Sequence, residues 1–383
     1  MEILQMISLQ KEHYYIIFFA ILAKFSFILI DFYFDQIFAI STGGDLLGTI
    51  KAMKTQAEID FVGTIKRMFY VNFYYIILII FFKLVIIKNF LTACILSLIA
   101  WLVSIYFFIK ILKYFKATEL LLGIGLLLFC FWPSLFLYTT FPFKENFQVL
   151  FFLMVIYFFI CCYESSNIKN LFYLLICCFL FGMIHRGLTF YSLLIFLYSF
   201  IFFYVLRNIN LKIILLLILF SILTFIFAIT YAKFGYEQFN QGLISAVEVY
   251  KNGLSIYQTR ANYTVYPVNL HNFTDLILFI INTTKNYFIR PYLDEIYTYN
   301  DLLVFFENYL RIIIIVISLI GLCVNKQLIF LKCFLLFLGI ELIWAIGTSN
   351  WGNAIRHHVP GLPIIIILFS ISLKNIYEKF FRQ

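Results

Sequence analysis

The sequence predicts an all-α protein, a polytopic integral membrane helical bundle of about eleven transmembrane helices with two longer polar loops. Two observations predict it. Of 383 residues, 64% are hydrophobic and only 12% are charged, with a mean hydropathy of +0.98. A soluble domain carries roughly 25% charged residues, and no soluble interior of this size hides so much apolar surface. The apolar runs are also continuous rather than alternating. Lipid offers backbone polar groups no water, so such runs must close their hydrogen bonds within themselves, as helices do.

Hydrophobic helices are expected at about 14–31, 71–87, 90–109, 118–138, 146–162, 170–184, 187–206, 211–233, 302–323, 327–347 and 359–374. Each approaches the ~20 residues that cross a bilayer, although several are short. The first run, Tyr14 to Ile30, has no small-residue cleavage site behind it and reads as a retained helix rather than a removed signal. An amphipathic or re-entrant helix is expected at about 274–289. No inverted repeat of the kind common in secondary transporters is visible. The chain therefore reads as a single transmembrane domain over 1–383, with a first polar loop at 32–70 carrying an amphipathic helix and a large non-cytoplasmic loop at 234–301. Loops of that length are uncommon in compact proteins and are often functional.

The net charge is +9. The basic residues lie mostly in short loops between apolar runs, which fits orientation signals and lipid headgroups, not nucleic acid. Lys110, Lys113 and Lys116 form one basic loop. Counting two crossings each time, Lys169, Arg207 with Lys212, Lys326, and Lys374, Lys379 and Arg382 fall on the same side, which is taken as cytoplasmic. The first loop does not fit this count simply. Direct counting places 32–70 inside, whereas a re-entrant segment within 71–109 places it outside. The eight cysteines sit in or beside apolar runs without metal spacing and read as small packing residues with no disulfide framework.

Four polar breaks gather on the side opposite the basic loops. In SNWGNAIRHHVPGLP, Arg356, His357 and His358 precede an apolar run in which Pro360 suits a helix start. A helix N-terminus with free N–H groups, a forked guanidinium and two imidazoles would suit an anion at the membrane surface, and His357 could act as acid or base. The bland alternative is snorkelling to headgroups. In TTFPFKEN, Lys144 and Glu145 open a helix: Lys144 as a further phosphate ligand and Glu145 as an orienting group or base, or merely a solvated helix start. In MIHRGLTF, His185 and Arg186 form either a turn between two short helices or an intramembrane charge, which is functional by default. In the 234–301 loop, Arg260 and Arg290 stand among Tyr257, Tyr263 and Tyr266, a mixture that suits phosphate and sugar or an ordinary aromatic belt. The first loop adds Asp31, Asp35 and Asp45, and Asp45 after a Gly-Gly turn is either a general base or a helix cap. No Walker, Rossmann, HExxH or CxxC pattern is present.

The acidic first loop (GGDLLG), the proline-and-polar break after the fourth apolar run (WPSLFLYTTFPFKEN) and NWGNAIRHHVPGLP before the last helix resemble bacterial membrane glycosyltransferases. The layout is similar to the C-type, lipid-linked-sugar-dependent superfamily and to the polymerases of O-antigen and capsule polysaccharide assembly. The resemblance implies a multi-pass protein of the bacterial inner (cytoplasmic) membrane. It also implies a polyprenyl-phosphate-linked sugar and membrane lipids as partners, other polysaccharide-assembly proteins beside it, and no nucleic acid. It carries a catalytic carboxylate onto Asp45, or less well Asp35, although the usual Asp-x-Asp or Glu-x-Asp pair is absent near Asp45. It carries diphosphate-holding arginines onto Arg186, Arg260, Arg290 and Arg356. No cofactor is required by it; a divalent cation is possible and its ligands are unknown. The rival class is a transporter or flippase of lipid-linked saccharides, which should show broken helices and cations deep in several spans.

Overall fold

A computed structural model of the chain describes residues 9–34, 55, 60, 62–63, 73–85, 90–165, 167–205, 243–254, 259–264, 267–324 and 327–381. Among these, the regular elements are helices, with one isolated antiparallel bridge between Asn262 and Asn350. In chain order they are α1 (Lys11–Tyr33), α2 (Phe73–Leu84), α3 (Phe90–Tyr114), α4 (Glu119–Phe131), α5 (Pro133–Thr140), α6 (Lys144–Glu164) and α7 (Ile168–Ile184). There follow α8 (Arg186–Ser199, continued by a π-turn), α9 (Leu243–Gly253), α10 (Phe273–Ile289), α11 (Tyr299–Val324), α12 (Leu328–Gly347), α13 (Trp351–His358) and α14 (Leu362–Phe381).

Helices α1, α3, α6, α11 and α12 are each long and apolar enough to cross a membrane. Two further pairs pass the same test as bent units, α4 with α5 at 58° and α13 with α14 at 63°. The chain is thus a helical multi-pass membrane protein of five to seven spans among the described residues, not the eleven expected. The shortfall has physical causes. The run at 118–138 breaks at Trp132–Pro133, because Pro133 has no N–H to continue the ladder and starts a new helix instead. The runs at 170–184 and 187–206 form α7 and α8, helices of 17 and 14 residues joined at His185. The expected span at 211–233 lies outside the described residues.

The run at 71–87 is not a crossing. Tyr74, near the start of α2, donates to the carbonyl of Pro142, and Phe90, at the start of α3, stacks on Phe141 with centroids 6.1 Å apart. Chain 73–90 therefore begins and ends at one end of the bundle. The other end is fixed by Lys374 Nζ donating to Lys116 O at 2.9 Å, by Tyr114 donating to Glu164, and by His13 Nε2 lying 3.0 Å from Glu119 O. So α1 rises from this basic end, and the chain enters α2 at the opposite end. The end of α1 and the start of α3 thus lie at the same end of the bundle.

Lys24, in the middle of α1, is fully buried. Its ammonium donates to Phe136 O (2.9 Å), Thr139 Oγ1 (2.7 Å) and Thr140 Oγ1 (2.9 Å). These acceptors form the C-terminal turn of α5, the negative pole of that short helix. The charge ties a broken span to α1.

At the end opposite the basic loops, α9 and α10 enclose a small apolar core of Val268, Leu270 and Leu276. Asn272 caps α10 by accepting from Asp275 N at 2.9 Å. The amphipathic helix expected at 274–289 is α10, Phe273–Ile289.

Candidate functional site

Phe143 ends an extended turn after α5, and α6 begins at Lys144. This puts Glu145 in the first turn, where a carboxylate meets the positive helix pole. Glu145 is buried, its side chain 1% exposed. Its partner comes from α13: Arg356 Nε donates to Oε1 at 2.7 Å, and the terminal nitrogen donates to Oε2 at 3.2 Å. The two planar groups meet as a fork, the strongest geometry for this pair. Arg356 also lies over the Phe143 ring, 5.3 Å from its centroid, and keeps 27% of its side chain exposed. Lys144 stands beside them within electrostatic range of Glu145, Arg356 and His357, and makes no hydrogen bond or ion pair among the described residues.

The end of α12 supplies the next layer. Trp344 sits between two imidazoles: His357 stacks on it at 4.3 Å and 23°, and His185 meets it edge-on at 4.7 Å. The Thr348 hydroxyl lies 2.6 Å from Trp344 O and 2.5 Å from His357 Nδ1, bridging the end of α12 to that imidazole. His185 Nδ1 accepts from Gly187 N at 3.1 Å and caps α8. From α9, Lys251 donates to Thr348 O at 2.6 Å and Tyr250 to Gly347 O at 3.1 Å, closing the carbonyl end of α12. Burial pushes the Lys251 ammonium down to about 7, since a desolvated amine favours its neutral form.

Arg356, His357 and His358 do not occupy a turn ahead of a helix N-terminus, as the sequence suggested. They form the last turn of α13, and the next helix starts at Leu362. That is the negative pole, which favours cations in its own right, so no bare N–H cradle faces an anion there. Asn350 takes the cap at the other end, accepting from Asn353 N at 2.7 Å. His358 then points away from His357. Its Nδ1 lies 2.5 Å from Glu341 Oε2 and its Nε2 3.2 Å from Tyr287 O. A carbonyl can only accept, so Nε2 carries a proton and a single further proton is shared with Glu341. Its two ring nitrogens are thus occupied inside the protein, and His358 is not a phosphate ligand in this arrangement. Gly361 leaves room for this pair, because a Cβ on it would lie 2.2 Å from Glu341 Oε1 and would force the carboxylate to shift.

A second buried polar layer adjoins this pair. Glu307 accepts from Trp132, from Ser134 at its hydroxyl and from Ser134 N at 3.2 Å, and it pairs with Arg311 at 3.4 Å. Arg311 donates to Asn308 Oδ1 at 2.7 Å.

Arg260 and Arg290 do not join the Arg356 cluster. Arg260 is tied to Asp301 at 2.7 Å, and Asp301 also accepts from Trp351 Nε1, Thr298 and Tyr297 N. Arg290 is paired with Glu295 at 3.0 Å. Both are ion-paired, as Arg356 is, but with carboxylates outside its cluster. Asp45 and the side chain of Arg186 lie outside the described residues. Among the described residues, no group of three or more His, Cys, Asp or Glu stands together to hold a metal ion.

The chain matches no protein-family model, and comparison with curated proteins and with solved structures gives no match. What the geometry assembles is therefore the primary guide. Lys144, Glu145, His185, Arg356 and His357, singled out in the sequence, stand in one layer. Trp344, Thr348 and Lys251 complete it and were not singled out. A lone Lys in a long polar stretch carries no sequence signal. Glu307, Arg311 and Glu341 were also passed over, although a charge within an apolar run is itself a signal.

Proposed function

We propose that the chain is a membrane glycosyltransferase or polymerase that moves a sugar or oligosaccharide from a polyprenyl-(di)phosphate carrier to an acceptor in cell-surface polysaccharide assembly in the bacterial inner membrane. One observation carries the reading: at the bundle end opposite the basic loops, Lys144 makes no hydrogen bond or ion pair among the described residues and stands beside a forked Glu145–Arg356 pair and beside the His357 imidazole. A lipid-linked diphosphate has its charge at that depth and its tail in the bilayer. In this reading the acceptor oxygen attacks the anomeric carbon, the bond from that carbon to the phosphate oxygen breaks, and the phosphate leaves with the electron pair. Lys144 and the exposed edge of Arg356 stabilise the charge that grows on it. His357 Nε2 takes the acceptor proton. Glu145 is a positioning residue that holds Arg356.

The test is complementation. Cells lacking the gene are given wild type, Arg356→Lys, Arg356→Ala, Lys144→Met or His357→Gln, and surface polymer is read as a gel ladder. Loss of the ladder with Arg356→Ala, Lys144→Met and His357→Gln and a partial ladder with Arg356→Lys are expected. A full ladder with Arg356→Ala rejects the role.

A second reading, transport of lipid-linked saccharides, is favoured by a different observation: two broken spans pack on one another, and Lys24, Arg311 and Glu307 are buried among the helices. Movement of a labelled lipid-linked saccharide between leaflets of proteoliposomes, without any transfer product, would favour it.

A further inference from the structure

The segment after α9 and the outward side of α10 form an open groove of about 510 Å³, within the ~300–1,000 Å³ typical of ligand sites. Its polar lining is set by helical spacing. Asn282, Asn286 and Arg290 follow one another at four-residue steps along α10 and so share one face. Asn269 faces them from the extended segment. None of the three asparagine side-chain amides makes a hydrogen bond among the described residues. Thr264 Oγ1, also in the lining, is buried without a partner. Phe279 and Tyr263 give the lining aromatic faces, and Val268, Leu270 and Leu278 apolar ones.

The electrostatics exclude an anion. Arg290 is already neutralised by Glu295 at 3.0 Å, and the Asp275 carboxylate, which accepts from His271 N at 3.1 Å, adds negative charge to the lining. What remains is a set of free amides, each with donors and an acceptor, beside ring faces. Vicinal hydroxyls present the matching donor–acceptor pairs, and a sugar's C–H face suits an aromatic wall.

We infer that this groove binds an uncharged saccharide. It is joined to the polar layer by direct contacts. Phe279 lies 5.5 Å beneath the Lys251 ammonium, Lys251 donates to Thr348 O, and Thr348 pairs with His357. Tyr263 N donates to Ser349 O at 2.9 Å, just before α13. The groove wall is thus linked to His357 through Lys251 and Thr348. The assignment of that saccharide as the acceptor glycan rests on the glycosyltransferase reading; binding itself does not.

The experiment uses the full chain in a detergent without a sugar headgroup. The probe is the set of uncharged oligosaccharides released by partial hydrolysis of the source cells' own surface polysaccharide, and binding is read by saturation-transfer NMR. Wild type should bind, and Asn282→Ala with Asn286→Ala should weaken binding at least tenfold while the circular dichroism stays unchanged, since Asn282 is exposed and Asn286 half-buried. Arg356→Lys should keep wild-type binding while transfer falls. No binding by the wild type, or equal binding by the Asn variants, overturns the groove assignment whatever the transfer assay gives. Binding that depends on the asparagines in a chain that produces no polymer keeps the groove and rejects the enzyme reading.

Discussion

Removing either partner of the Glu145–Arg356 pair should destabilise the fold far more than removing both. The pair has two short contacts, 2.7 and 3.2 Å, and Glu145 is 1% exposed. At an effective dielectric constant of about 20, unit charges ~4 Å apart attract by ~4 kcal/mol. Truncating one partner of a buried pair costs ~3–5 kcal/mol, mostly because the other charge is stranded. Glu145→Gln and Arg356→Met should each fall in that range, with Arg356→Met the more costly because the carboxylate it strands is the deeper group. The double variant should recover ~3 kcal/mol relative to the sum of the singles. The assay is equilibrium unfolding in mixed micelles, followed by near-UV circular dichroism, arranged as a double-mutant cycle. A coupling below about 0.5 kcal/mol would refute the pairing and would return Arg356 to the role of an unpaired anion ligand.

Two further outcomes follow from other contacts. The unfolded chain holds the Lys251 proton up to its ordinary value near 10.5, while the folded chain loses it at about 7. Between those values the unfolded state binds more protons, so stability should rise with pH from about 7 toward 10, by ~5 kcal/mol at the most; Lys251→Met should flatten that slope, and an unchanged slope in the variant would contradict the burial argument. Asp301→Asn should cost ~2–3 kcal/mol, because a carboxylate that accepts from Arg260, Trp351, Thr298 and Tyr297 becomes a group with its own donors turned on theirs. It should also raise proteolysis between Arg260 and Tyr297, and wild-type resistance in the variant would show that Asp301 is not the tie.

The class of fold was legible because composition alone decides it: a chain 64% hydrophobic has no soluble solution. The number of spans was not, because hydropathy reports that a run avoids water and says nothing of whether it crosses. The run at 71–87 is apolar but for Asn72 and Lys83, yet Tyr74 and Phe90 both lie beside 141–142. The bend at Trp132–Pro133 was written in the proline, and a continuous span over 118–138 overlooks the hydrogen bond that Pro133 cannot make.

The polar motifs were legible as residue types but not as pairings, and the pairings decide the chemistry. In a low-dielectric layer a cation must be matched, so a run such as RHH is distributed among partners that sequence spacing does not reveal. Arg356 goes to Glu145, two hundred residues away in the chain. His358, one residue from His357, turns about 100° round the helix and meets Glu341 instead. Arg260 and Arg290, which match Arg356 in type, are consumed by Asp301 and Glu295. Four arginines suggested four phosphate ligands. Once the carboxylates are assigned, the cation of that layer without an acceptor of its own among the described residues is Lys144.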